Sequence, residues 1–533
     1  YTGENMFVGI ADGASSMYHD NVQTIATTST GASITGGVTY TGDLVSSTSG
    51  TSNFRAGVNA GNSIQSGGNY NIVIGDEAGA AITTGDQNIC IGHGAGDALT
   101  TGASNIAIGH LALSTEDAHG QNVAVGDEAL KTLDAGEAAY NTAVGADAGK
   151  LMTTGTQNTI IGGLAGDALT VGDRNVAIGY QALTSDTQGD RNVAVGYATL
   201  ATQNNSSNLD SYNTAVGYNT GNDITTGVNN VLMGALAGDA LTDADFNVAM
   251  GYQALTTDTK GSQSTAIGHH ALQTQNFINA TNTYNVAVGY QAGKSVTTGT
   301  SNTIVGANAG DALTTGDNNV AIGNFALSAE DAHGRNIAIG RNALLVQNAG
   351  ANGNNVAIGY NAGASVTTGT ENVFVGSFAG DGTDDGASNT ALGYAALTVN
   401  AGNSNTAVGN NALSQCTNND NTAMGQNAGE SLTSGSNNLF LGHDAGITGS
   451  PGGNLTTQSN RVIIGDENIQ AIFAAVSTID TSDQRDKTDF NDLDIGLDFV
   501  NALKPVTYKW DKRSKYGDKY ADDYDLNAQT PDG

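Results

Sequence analysis

Apolar positions along most of the chain come in short, evenly spaced pairs around a small residue, as in "NTAVG" at 141–145 and "NVAIG" at 175–179. Anchor asparagines recur from Asn71 to Asn438, with Ser264 taking one slot and Arg461 closing the series. Most spacings are 17 residues, but 122→141, 192→213, 264→285 and 336→355 are 19 or 21, so the repeat groups into super-periods of four coils. The residue before the anchor Gly is Val, Ile, Leu or Met in all 23 copies from 71 to 461. Two residues earlier stands Thr, Val, Ile or Leu, and the residue between is mostly Ala. Period-2 alternation predicts an extended segment with two faces. The larger aliphatic pair is expected to be the buried face, and Ala to lie where another layer or chain comes close. A second run such as "YQALT", ended by "TTG", "DTQGD" or "EDAHG", predicts a second short strand, giving two strands and two turns per coil. The extra residues of every fourth coil belong in surface loops.

A 17-residue coil cannot bury its face alone; stacked coils can, with asparagines laddered along the stack. At about 4.8 Å per rung, such a stack is roughly 100 Å long. "NMFVG" at Asn5 and "NFRAG" at Asn53 read as outlying copies around a Thr/Ser/Gly-rich stretch. The domain organisation is thus an irregular 1–70, a coiled 71–465, a connector 466–481 and a different segment, 482–533. There "NDLDIGLDFVNALKP" carries Leu493, Leu497 and Val500 at helical spacing ahead of Pro505, and "VTYKW" at 506–510 reads as a strand.

Composition supports a thin core: 533 residues hold 74 Gly but only 3 Pro and 6% aromatics. That excludes collagen and a proline-rich linker. Strict aliphatic occupancy excludes a disordered glycine tract. The net charge of −33 repels phosphate backbones, which argues against a nucleic-acid partner. No apolar stretch approaches a membrane span and no signal peptide is visible. The chain begins with Tyr1 rather than Met, so further sequence is expected before it. Cys90 and Cys416 sit in separate repeats, Cys90 in an Ala slot, and read as small buried hydrophobes.

Candidate chemistry inside the repeats is sparse. Calcium-binding nonapeptides, zinc spacings and phosphate loops are all absent, so no metal and no cofactor is expected. His119 and His333 share the turn "EDAHG", which reads as repeat correspondence rather than a cluster. Tyr180, Tyr197, Tyr218, Tyr252, Tyr290 and Tyr360 follow anchor glycines; packing between coils or chains is the expected use, stacking on sugars the alternative. At the end of the repeats, Ser482 and Lys487 stand five residues apart, about 140° around a helix and on opposite faces of a strand. From spacing alone they are either a polar linker or, with a desolvated lysine, a nucleophile and its base.

Two resemblances extend this reading. "NVAIGYQAL" and "NTAVGADAG" look like the head repeats of trimeric autotransporter adhesins, which also occur in bacteriophage tail fibres. Over 71–465 that resemblance implies an all-β, parallel β-roll or β-solenoid rod of three chains. "TSDQRDKTDFNDLDIGLDFVNALKPVTYKWDK" resembles the start of the C-terminal intramolecular chaperone of phage endosialidases and tail fibres. The matching positions are Ser482, Asp483, Lys487, Gly496, Leu497, Leu503, Pro505, Val506, Tyr508 and Trp510. The resemblance implies a small α+β domain, begun here and running beyond Gly533. It would trimerise the fibre and then cut itself off at Ser482–Asp483, with Ser482 as nucleophile and Lys487 as general base. Any enzymatic activity would be that single turnover. The implied partners are two further copies, other virion proteins and a host receptor such as a glycan; the implied place is the virion, outside the cell, after synthesis in the host cytoplasm. A bacterial surface adhesin and the stalk of a glycan-degrading tailspike are the competing readings.

Overall fold

The computed structural model describes residues 5–9, 15–19, 22–28, 31–34 and 48–472, apart from 206 and 208. The chain divides into two compact units, Tyr1–Ile469 and Gln470–Gly533. No helix occurs among the described residues. Of the 30 strands among the described residues, four form an N-terminal antiparallel sheet and two a short side pair, leaving 24 in one parallel ladder. The ladder runs rung by rung from Phe54–Ala56 to Val462–Ile464, and no pairing joins its two ends, so it is an open solenoid. The copy at Asn53 is therefore a true coil. The one at Asn5 is not: Asn5–Gly9 pairs antiparallel with Ser15–His19.

Each coil contains one three-residue strand rather than two, and among the described residues only the coils opening at Asn247 and Ser264 add a second, two-residue strand, Gly261–Ser262 and Thr281–Asn282. The run after the anchor Gly is a chain of turns in which non-glycine residues repeatedly take positive φ, as at Leu113 (53°) and Gln181 (56°). Equivalent residues stack in register, Val176 on Val193 and Ala177 on Ala194. The anchor glycines need their lack of a side chain: a Cβ on Gly92, at φ 132°, would stand 2.4 Å from the Gly109 carbonyl oxygen of the next rung.

The inward face is the reverse of the sequence expectation. The central residue is buried, as with Ala124, Ala177 and Ala287 at 0% exposure, while the aliphatics on either side point outward and are half-buried. The reason is volume. In coils centred on Ala107, Ala177 and Ala321 the interior is filled from the opposite side by the turn residues Leu113, Leu183 and Leu327, so only a methyl fits at the strand centre. Cys90 occupies such a centre, buried and free.

The core follows the super-period. In the group opening at Asn285, the first two coils place Gly293 and Gly310 four residues after the anchor Gly, and Val296 and Leu313 seven after it. The last two place Leu327 and Leu344 at the fourth position and Glu330 and Gln347 at the seventh. Where a strand centre before the last rung is large, as at Ile160, Leu232, Ile304 or Phe374, the fourth position is Gly.

Asparagines form the second stabilising column. The backbone N–H of Asn175 donates to Asn158 Oδ1 at 2.8 Å, and its own Nδ2 donates to the Gly189 carbonyl at 2.8 Å. Most of the buried anchor amides are satisfied in this way, at about 1 kcal/mol per bond; Asn336 Nδ2 is left without a partner. At Ser264 the shorter side chain cannot reach the next rung. Its Oγ instead lies 2.6 Å from Thr283 Oγ1, which accepts the Asn285 N–H at 3.4 Å. The extra residues of the long coils, such as Gly136, Glu137 and Ala138, are exposed as expected.

Candidate functional site: an outward aliphatic face and a C-terminal motif

The strand flanks make two outward rows running the length of the ladder. None of its 24 strands carries a charged residue at either outward position. Ile161, Met233, Ile358, Leu392 and Met424 are exposed on the row before the anchor Gly, and Ile72, Val231 and Val373 on the other. In a chain of net charge −33, an aliphatic row of this length, beside one that mixes Thr with Val, Ile and Leu, is unusual for a surface left in water.

Beside it runs the row that follows the anchor Gly. Tyr180, Tyr197 and Tyr218 stack at centroid distances of 5.7 and 5.3 Å, and His269 stacks on Tyr290 at 5.4 Å. The rings pack coil on coil, the expected use, and Ala146, Gly163, Ala235 and Ala307 break the row into groups.

The seventh-position slot of the third coil in each of four groups holds a buried carboxylate: Glu116, Asp186, Asp258 and Glu330, all at 0% exposure. Burial raises Asp186 and Glu330 above the usual carboxylate range, partly offset by hydrogen bonds from Gly189 and His333. The "EDAHG" turn is thus more than a repeat correspondence: it brings Glu116 to His119 and Glu330 to His333, each pair 3.3 Å apart. Sequence reading missed these because the turn looked like surface punctuation. The signal lay in the register, a carboxylate standing where other coils place Ile, Leu or Met. The Cys90 thiol offers no nucleophile, since burial pushes it up to about 12.

Ser482, Asp483 and Lys487, with Gly496, Leu497, Leu503, Pro505, Val506, Tyr508 and Trp510, lie outside the described residues. Their proposed roles rest on sequence alone. Residues 482–526 match the family model described as chaperone of endosialidase. No curated protein and no solved structure matches the chain.

Proposed function

We propose that the chain is the shaft of a homotrimeric attachment fibre of a phage virion, carrying a C-terminal chaperone that releases itself by cleavage at Ser482–Asp483. The match of residues 482–526 to the chaperone family carries this reading. The outward aliphatic rows support its oligomeric part: three copies packed along those rows would bury a strip that one copy leaves wet. The solenoid also explains why a chaperone is wanted. Every rung resembles the next, so chains pairing in parallel can slip by a coil, and non-local pairing is slow. A terminal trimerising domain fixes register before the rods close, and its removal leaves the fibre kinetically trapped. A Ser482 Oγ attacks the carbonyl carbon of the Ser482–Asp483 peptide bond as neutral Lys487 takes its proton. The C–N bond breaks, Lys487 returns the proton to the departing Asp483 amine, and water hydrolyses the ester to leave a chain ending in the Ser482 carboxylate. The fibre's work is to place a receptor-binding surface against a host cell.

Expression of the complete reading frame should yield a product ending at Ser482, and Ser482→Ala should abolish it while trimers still form. An uncut wild type would sink the cleavage. Sedimentation should report three chains. Paired outward charges, Val195→Asp with Ile267→Asp, should give folded single chains; trimers unaffected by them would remove the aliphatic rows from the interface.

A further inference from the structure

The four buried carboxylates occupy one slot of one repeat, yet they fall into two chemical kinds. Asp186 and Asp258 stand three residues before a Gly and are fully used. Asp186 accepts from the Gly189 N–H at 2.9 Å and from Gln203 Nε2 at 2.8 Å; Asp258 accepts from the Gly261 and Phe277 N–H groups at 3.0 Å and from Gln275 Nε2 at 2.6 Å. Glu116 and Glu330 stand three residues before a His and are not. Oε1 of each accepts the backbone N–H of its histidine at 3.0 Å. Beyond that, Glu116 Oε2 has one long contact, 3.4 Å from the Ala135 N–H. Glu330 Oε2 has none, although its side chain is completely buried, and His119 Nδ1 is a buried atom without a hydrogen bond. His333 Nδ1 lies within hydrogen-bond distance of Glu330 Oε1, at 3.3 Å, so each turn leaves one buried polar atom bare, His119 Nδ1 in the first and Glu330 Oε2 in the second. The neighbouring groups close the same slot with amides, so a bare atom in both histidine turns calls for a missing partner.

The partner's chemistry can be read from what surrounds the slot. Glu116, Asp117, His119 and Asp134 each bring a ligand atom within 4.8 Å of the others, as do Glu330, Asp331 and His333. The lysine and arginine ion pairs among the described residues, Lys131 and Lys150 with Glu128, Lys150 with Asp147, Arg191 with Asp210 and Lys260 with Asp243, include none of these carboxylates. The potential is therefore uncompensated and favours a cation. A tetrahedral ion bound at about 2.1 Å separates neighbouring ligands by roughly 3.4 Å, and both Glu–His pairs already stand 3.3 Å apart. An imidazole among carboxylates suits zinc or a similar divalent transition metal rather than calcium, which takes oxygen throughout. Both histidines are partly exposed, His119 at 30% and His333 at 27%, so an ion can enter from solvent.

We propose that the two Glu-Asp-x-His turns each bind one divalent transition cation, through Glu116, Asp117, His119 and Asp134 in the first and Glu330, Asp331 and His333 in the second. The Asp186 and Asp258 turns are the same slot closed without metal. In the first site Asp134 lies on the next coil's long loop, so the ion clamps that loop to the coil below it.

Equilibrium dialysis of the full chain against Zn²⁺ alone, at neutral pH, tests this. His119→Ala and His333→Ala should each remove one zinc per chain, and the double variant two, with circular dichroism unchanged. Glu116→Gln with Glu330→Gln, nearly isosteric, should remove the same two, and substituting Asp186 and Asp258 by Asn should remove none. Zinc should raise the unfolding temperature of the wild type and not of the double histidine variant. Failure of the wild type to bind zinc, equal uptake by the double variants, or displacement of the zinc by equimolar Ca²⁺ would each overturn the proposal. The first of these would leave the Glu–His pairs holding a proton or a water only.

Discussion

The first two coils of each group and the last two solve the same packing problem differently. Coil 302–318 fills its interior with Ile304 and Leu313 and leaves Gly310 bare; coil 319–335 uses Ala321, Leu327 and, at the seventh position, Glu330. In the first, a Cβ on Gly310 would stand 2.8 Å from Leu313 Cδ1. In the second, Leu327 sits in the same backbone conformation at φ 52°, strained for a branched side chain but held by the rungs above and below. What is conserved is the cross-section, not the residue. Moving a large side chain from strand to turn empties the seventh position of apolar volume, and that is where polar groups enter the core. The two kinds of coil thus divide the labour: the first keeps the seventh position apolar apart from Thr383, and the second carries every buried carboxylate among the described residues.

The largest effect should come from a feature both kinds share. Gly306→Val and Gly323→Val add a Cβ 2.7 and 2.5 Å from the next rung's carbonyl oxygen at φ near 135°. Each should cost roughly 4 kcal/mol, strain plus overpacking, and break the ladder locally. Hydrogen exchange resolved along the chain would show it, and a loss in only one kind of coil would break the claim of a common backbone.

Next is the exchange of volume. Ile304→Ala should cost about 2–4 kcal/mol as a cavity. Ala321→Ile should cost about 1–3 kcal/mol by overpacking, and adding Leu327→Gly should restore most of that. A double variant no better than the sum of its singles would mean that the two sites do not share one space.

The smallest effect concerns the polar slot. Burial holds Glu330 above its ordinary 4.5, so as pH rises from there the folded chain keeps a proton the unfolded chain has lost. Stability therefore declines across that window, and Asp186 acts in the same direction. Glu128, drawn down to about 2 by Lys131 and Lys150, works the opposite way: its contribution fades as pH falls from 4.5. Without added metal, the unfolding midpoint of the wild type should decline between pH 5 and 7, and Glu330→Gln should flatten part of that slope. An equal slope in the variant would place the titration elsewhere.

Much of this was legible in the residues. The coil length, the groups of four, the asparagine column and the surface loops all follow from spacing, because each is a local or nearest-neighbour property that repeats. The C-terminal motif from Ser482 to Trp510 was likewise visible only as sequence, and it carries the proposed function. Besides the choice of inward face, three things were not legible. "NMFVG" reads as a coil, but its strand pairs antiparallel, since partner choice is a long-range matter. The run after the anchor Gly reads as a strand, but the stacked rungs impose left-handed turns on it. The Glu116–His119 turn reads as punctuation, although its register puts the carboxylate inside.

By itself, then, the sequence determined that the strand has two faces and that one is richly aliphatic. Alternation cannot say which face points in. That was decided by the other side of the coil, where a leucine or isoleucine already fills the interior and leaves room only for alanine methyls. The larger side chains are turned outward for that reason, forming the face against which further copies of this chain are proposed to pack.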